Sequence, residues 1–321
     1  MLLNGGGLGY GELHLDERSR AWLLTHLPQL PDALTRGAAW ITLWDGMLCG
    51  EVDAPALLAL VLRAIDCESS EVNLQRFLVC AERLFWIFTN ARAHADICMQ
   101  VEAALRTALS SAPSRSAKAA ILTSLCVVAM TPDTLGWLRA LWSGEASIDG
   151  LPLGEPEQVM LAQELAVRSE KGTDYVERQL ARTVTRERRE ALAFMQPALS
   201  PDAAERSRFL LSLSDPMRRR REPWVVDAMR WLHHPLREAE SIALLEPSLS
   251  MIDEVKRTGD IFLPKRWLDA TLGGHRSPEA ATIVRRFIEQ RPPDYPRALT
   301  RMVLASADSL FRASSALTRA E

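Results

Sequence analysis

Residues 31–51, PDALTRGAAWITLWDGMLCGE, constrain this chain more than any other stretch, because their pattern fits one kind of structure. Asp32 stands where a helix N-cap belongs and Gly50 where a helix stops. Between them Leu34, Ala38, Ile41, Trp44 or Asp45, and Leu48 recur at three-and-four spacing, which predicts a buried stripe along one face. Trp40 and Trp44 lie four apart, so two indoles share a side of the helix and can anchor a partner. A helix this apolar needs neighbours.

The chain supplies them in series. Leu74, Phe77, Leu78, Ala81, Leu84, Phe85 and Phe88 keep helical spacing without a miss, which predicts a helix over 72–88. Similar patterns cover 55–65, 97–108, 131–142, 158–168, 174–184, 186–194, 201–213, 223–232 and 296–311. The stretch 116–130 is apolar on most sides and should be central. Leu, Ala, Arg and Glu abound while β-branched runs are scarce, which favours helix almost throughout. No exact internal repeat is visible. Paired helices at a spacing of roughly 35–45 residues fit irregular HEAT-like hairpins. The expected fold is therefore all-α, a right-handed superhelix (α-solenoid) of such hairpins.

At the start, Asn4 and the glycines after it predict a turn, and residues 9–15 alternate like a short strand. A lone strand needs a neighbour for its backbone groups, so 1–16 read as the end of a preceding β domain. The helical domain then runs over 17–313, with a fraying tail over 314–321. The connection 147–156, with two Gly and two Pro, is the candidate boundary between two halves.

Several function classes are disfavoured. The formal net charge of −3 pulls the chain toward neither nucleic acid nor an anionic membrane. No run reaches the roughly 18 apolar residues of a membrane span, and the first residues do not read as a signal peptide. Cys49, Cys67, Cys80, Cys98 and Cys126 are odd in number and form no C-x-x-C, so they read as buried thiols in a reducing, cytoplasmic setting. His94 and Cys98 are four apart, but zinc needs three or four ligands and no further set is evident. The glycines at 5, 6, 7, 9 and 11 do not form G-x-G-x-x-G, and no H-E-x-x-H, G-x-S-x-G or P-loop motif is present. The run 218–221, four arginines, reads as a solvated helix end. No catalytic residue and no metal ligand is assigned.

Two stretches carry a family resemblance. In 31–51, the residues Asp32, Leu34, Arg36, Ala38 or Ala39, Trp40, Leu43, Trp44 and Asp45 fit a run of the type D-x-L-x-R-A-x-x-W-x-x-L-W-D. In 252–275, Thr258, Gly259, Asp260, Ile261 and Phe262 fit T-G-D-I-F-F-P-K-x-W, with Leu263 in place of the second Phe. The start fits N-x-x-x-x-G-Y over 4–10. Together they resemble the C-terminal helical domain, of the endoplasmic-reticulum-aminopeptidase type, found in the aminopeptidase N family of zinc metallopeptidases, including bacterial members.

The resemblance implies a non-catalytic domain of an enzyme that removes N-terminal amino acids from peptides. It would cap the catalytic domain and wall the peptide chamber, with zinc held by the catalytic domain of the parent. Its partners would be peptide substrates and the catalytic and β-sandwich domains of the same polypeptide. Within it, Lys256, Arg257, Lys265 and Arg266 become candidates for holding the carboxylate at the far end of a peptide, with Ile261 and Phe262 packing inward and Pro264 fixing the turn into the next helix. Periodicity alone supports a second reading equally, a free-standing α-solenoid that binds other proteins.

Overall fold

The structure, a computed structural model, describes residues 2, 4–9, 11–90 and 94–320, with side chains as far as residue 316. Its helices begin where the sequence provides caps. Asp16, Asp32, Ser70, Ser114, Asp202 and Ser277 each accept a backbone N–H from the first turn that follows.

The chain forms two compact units, residues 1–137 with 146–152 and residues 138–145 with 153–321. The first holds α1 (Glu17–His26), α2 (Ala33–Leu48), α3 (Ala54–Cys67), α4 (Glu71–Arg83), α5 (His94–Ser111) and α6 (Arg115–Val128), and α7 (Pro132–Ser143) contributes to both. The second continues with α8 (Glu155–Val167), α9 (Gly172–Arg182), α10 (Arg186–Leu199), α11 (Ala203–Ser212), α12 (Glu222–Leu232), α13 (Glu238–Ser250), α14 (Ile252–Thr258), α15 (Leu263–Leu272), α16 (Pro278–Glu289) and α17 (Arg297–Ala320).

In the first unit α3 packs on α4 and α5, and α4 on α6. In the second α10 packs on α12, α12 on α15, α13 on α16, and α15 and α16 on α17. Several helices meet both a sequence neighbour and the helix two or three places on, as stacked hairpins do. The fold is all-α and solenoid-like. Trp40, Phe77, Phe85 and Leu105 lie at the centre of the first unit, and Val225, Trp267, Leu268 and Val284 at the centre of the second.

Two hydrogen-bond devices tie successive hairpins together. In the first, a Glu reaches the N-terminus of a later helix, where unpaired N–H groups favour an anion. Glu102 on α5 accepts from Met130 N at 2.6 Å and Thr131 N at 2.9 Å, just before α7. Glu155 on α8 accepts from Val184 N before α10, and Glu238 on α13 from Arg276 N and Ser277 N before α16. Thr185, also donating to Glu155, helps hold that carboxyl down at about 2.

The second device is a buried arginine. Arg36 donates to Leu30 O and Pro31 O and grips Glu68 with two nitrogens. Arg206 likewise donates to Ser200 O and Pro201 O, and meets Glu240 through a single nitrogen. Both sit in the same hexapeptide pattern, P-D-A-x-x-R, over 31–36 and 201–206. The chain therefore carries an internal repeat that its sequence alone did not announce.

The structure corrects several expectations. On α2 the buried residues are Arg36, Ala38, Ala39, Trp40, Thr42, Leu43, Gly46 and Met47, while Leu34 and Ile41 are exposed. Of the expected stripe, Ala38 is buried, Trp44, Asp45 and Leu48 are half-buried, and Leu34 and Ile41 point outward; the core follows Arg36, Trp40, Leu43 and Met47. No strand forms among the described residues of 9–15; Asn4 closes a turn with Gly9, and 11–16 pair with no ladder. Tyr10 lies outside the described residues. Cys49 and Cys67 are exposed because they sit at the ends of α2 and α3, whereas Cys80, Cys98 and Cys126 are buried. The predicted helix over 72–88 is α4 followed by a π-helical turn, Leu84–Phe88, that buries Leu84, Phe85, Trp86 and Ile87. The 314–320 backbone continues α17 as helix.

Candidate functional site

The distal site is built on α14, the turn after it and α15. Asp253 and Glu254 occupy the first turn of α14 and Lys256 and Arg257 its last, each charge at the helix end that favours it. Gly259 then lets the chain fold back tightly. A Cβ there would run into the Leu263 side chain and lie 2.9 Å from Val255 O. Asp260 caps α15, accepting from Phe262 N and Leu263 N at 2.7 Å each. Burial pushes the Asp260 carboxyl up, but the two amides outweigh it and hold the group below the usual carboxylate range.

Two residues from earlier helices lock this turn. Glu222, in the first turn of α12, accepts Asp260 N at 2.9 Å. Arg219 donates to Thr258 Oγ1 at 2.8 Å while holding the carbonyls of Leu213 and Ser214. Arg219 is buried, so the four-arginine run is not uniformly solvated: its second member is a structural tie, with the Arg36 and Arg206 hydrogen-bond pattern. Sequence reasoning missed it because three arginines beside it are exposed. The available signal was spacing, a guanidinium six and five residues after the carbonyls it holds.

The locked turn presents an apolar tip. Ile261 and Phe262 are 83% and 58% exposed, against the expectation that they pack inward. The turn's hydrogen bonds face the protein, which leaves these two side chains outward.

The four candidate bases, two at the end of α14 and two on α15, differ in their partners. Arg257 forms a two-pronged pair with Glu254, 2.7 Å at its closest, and Lys265 meets Asp269 at 2.5 Å. The Arg266 guanidinium carbon lies 5.6 Å from the centre of the Phe262 ring, and Lys256 is exposed. Arg266 and Lys256 are thus the two bases that carry no ion pair with a carboxylate among the described residues.

The first signature stretch is structural. Trp40 donates to Cys80 Sγ and meets Phe77 edge-on at 5.2 Å, and Trp44 meets Phe88 at 6.1 Å with Arg83 over its ring. Burial, with the Glu12 charge nearby, pushes the Asp45 carboxyl up. None of these residues is arranged around a reacting group.

Among the described residues no group of three or more His, Cys, Asp or Glu is placed to hold a metal. His94 is spent on Phe85 O at 2.7 Å and stacks on the Phe85 ring, and Cys98 donates to Ala95 O. His233 and His275 share a buried hydrogen bond of 3.0 Å, and His233 also meets Ser248 Oγ. No described helix is long and apolar enough to cross a membrane.

Comparison with known proteins agrees with this architecture. The family profile of the ERAP1-like C-terminal domain matches residues 1–310. A similar protein is "Aminopeptidase N" of Streptomyces lividans, 29% identical over 169 residues, which cover 52% of this chain and 20% of that protein. The matched part thus spans about a fifth of the relative's length. With a match from residue 1 to residue 310, the chain belongs to the ERAP1-like C-terminal domain family.

Proposed function

We propose that the chain serves as the non-catalytic C-terminal domain of a zinc aminopeptidase, capping the catalytic domain and walling the chamber in which the peptide lies. The observation that carries this reading is the family match over residues 1–310, together with the relative named as an aminopeptidase. In this reading zinc and the amine-binding acid belong to the catalytic domain of the same polypeptide. Catalytic and β-sandwich domains are then its partners, nucleic acid and membrane are not, and the setting is cytoplasmic.

The tip at 261–262 supplies the peptide contact. Ile261 and Phe262 offer an apolar surface on a hydrogen-bonded turn, and Arg266 lies beside it over Phe262. A planar guanidinium matches a peptide's C-terminal carboxylate with two parallel donors. Arg266 and Lys256 lead, because Arg257 and Lys265 would first have to leave Glu254 and Asp269.

Arg266→Ala in the full-length enzyme tests this. A lost charge-assisted hydrogen bond is worth roughly 1.5–3 kcal/mol, hence a tenfold or greater rise in KM for peptides. Aminoacyl-anilides, which lack a distant carboxylate, should be unaffected. Equal effects on both substrates, or on neither, remove the residue from the site.

One observation favours the second reading, a free-standing scaffold. Leu34 and Ile41 on α2, with Val72 and Val79 on α4, are exposed apolar residues at seven-residue spacing. In the leading reading that surface faces another domain of the same polypeptide.

A further inference from the structure

A second cationic feature lies in the second unit, on α9, away in sequence from the distal tip. The Arg182 guanidinium carbon is 4.2 Å from the centre of the Trp142 ring, and that of Arg178 is 4.9 Å from the same ring. The platform is fixed. Trp142 is buried, and its Nε1 donates to Gln179 Oε1 at 2.8 Å. Gln179 is itself fully buried and donates to Thr183 Oγ1, which sets its amide orientation. Arg182 Nε donates to the same Gln179 oxygen at 2.7 Å, so one edge of the guanidinium is held and the other is left to project. Tyr175 packs against the indole at 5.1 Å.

The two arginines are exposed and four residues apart on one helix, an arrangement in which like charges repel. Burial against the indole, and then the Arg178 charge, lower the Arg182 pKa. By contrast, Arg168, Arg186 and Arg188 form ion pairs with Glu164, Glu190 and Glu155. Neither Arg178 nor Arg182 has a carboxylate partner among the described residues. Two guanidinium groups thus lie over one hydrogen-bonded indole with no carboxylate paired to either among the described residues. Flat guanidinium groups stacked on an aromatic face are suited to planar or multidentate oxyanions.

We propose that Arg178 and Arg182, laid on Trp142, form an oxyanion site that takes a phosphate or a carboxylate group of a small ligand. The site is independent of the peptide contact proposed at the tip, and its test uses the 321-residue chain without any catalytic domain.

Calorimetric titration at constant ionic strength tests it with three probes: inorganic phosphate, N-acetyl-leucine and N-acetyl-leucinamide. Saturable one-to-one binding of phosphate or of the carboxylate is expected, with the amide inert. Phosphate binding alone assigns the site to phosphorylated ligands, and N-acetyl-leucine binding alone assigns it to carboxylates. Arg178→Gln and Arg182→Gln should each weaken binding at least tenfold. Arg182→Lys should weaken it too, since the charge stays but the planar fork goes. Arg178→Gln keeps the Gln179 network intact, so unchanged or raised thermal stability of that variant separates lost recognition from lost folding. No saturation with either anion, equal binding of the amide, or undiminished binding in both Gln variants overturns the proposal.

Discussion

Replacing Arg36 by Met should destabilise the first unit by far more than an ordinary surface change. The guanidinium holds four acceptors: Leu30 O at 2.7 Å, Pro31 O at 3.1 Å, and both oxygens of Glu68. The Glu68 side chain is 1% exposed, so the substitution leaves a carboxylate in the interior with only Ser70 N and Asn73 Nδ2 to meet it. Breaking a buried pair from one side costs about 3–5 kcal/mol. For a unit of this size each kcal/mol moves the midpoint roughly 2–4 °C, so a fall of roughly 6–20 °C is expected. Thermal unfolding followed by circular dichroism reads the fall and urea unfolding the free energy, each following the transition that the substitution moves, since two units need not unfold together. Adding Glu68→Leu should recover part of the loss, because no charge is then left buried. The pH dependence has a definite sign. In the native protein burial pushes the Glu68 carboxyl up, but Arg36, Ser70 and Asn73 together hold it below its ordinary value. Without Arg36 burial dominates, the folded form takes up a proton more readily than the unfolded one, and the variant's deficit shrinks as pH falls toward 4. A loss below about 1 kcal/mol, or a deficit that grows in acid, would refute the hub.

Three further outcomes follow from the same structure. His233, His234 and His275 are buried and held neutral, chiefly by desolvation, with His275 lowered from 6.5 to about 4. The unfolded chain binds protons first, so stability is present at neutral pH and lost from about 6.5 downward, by up to about 1.4 kcal/mol per pH unit for each group; a urea midpoint unchanged between pH 7 and 5 would contradict this. Backbone amides of 11–16, with no ladder, should exchange much faster than those of 74–83, and strong protection of 11–16 in a monomer would contradict the description of that segment. The chain alone should bind no stoichiometric zinc and release no amino acid from an aminoacyl-anilide, and one tightly held zinc with turnover would overturn that expectation.

Helices were legible in the sequence because capping and three-and-four spacing act locally. Asp32 caps as its position predicts, and Ser70 and Ser277 cap their helices by the same local rule. The facing of α2 was not legible, because hydropathy favours Leu34 and Ile41 over Arg36. Arg36 is buried only because Glu68, 32 residues on, arrives to neutralise it. The outward tip at Ile261 and Phe262 has the same origin: Glu222 and Arg219 fix its turn from 38 and 39 residues away. Local apolarity says nothing of such partners. The repeated P-D-A-x-x-R is present in the sequence, but two short matches acquire meaning only when both arginines hold the carbonyls six and five residues before them. At the distal site the basic residue types were legible, while their division into paired Arg257 and Lys265 and unpaired Arg266 and Lys256 needed coordinates.

The central claim is that this chain works as one domain of a zinc aminopeptidase. An antibody against residues 238–272 can isolate the native polypeptide that carries it, for mass, zinc content and aminopeptidase assay. The account predicts a polypeptide much longer than 321 residues, one zinc per chain, and release of N-terminal amino acids that a chelator abolishes. A native polypeptide of about this chain's own length, without zinc and without that activity, would contradict it.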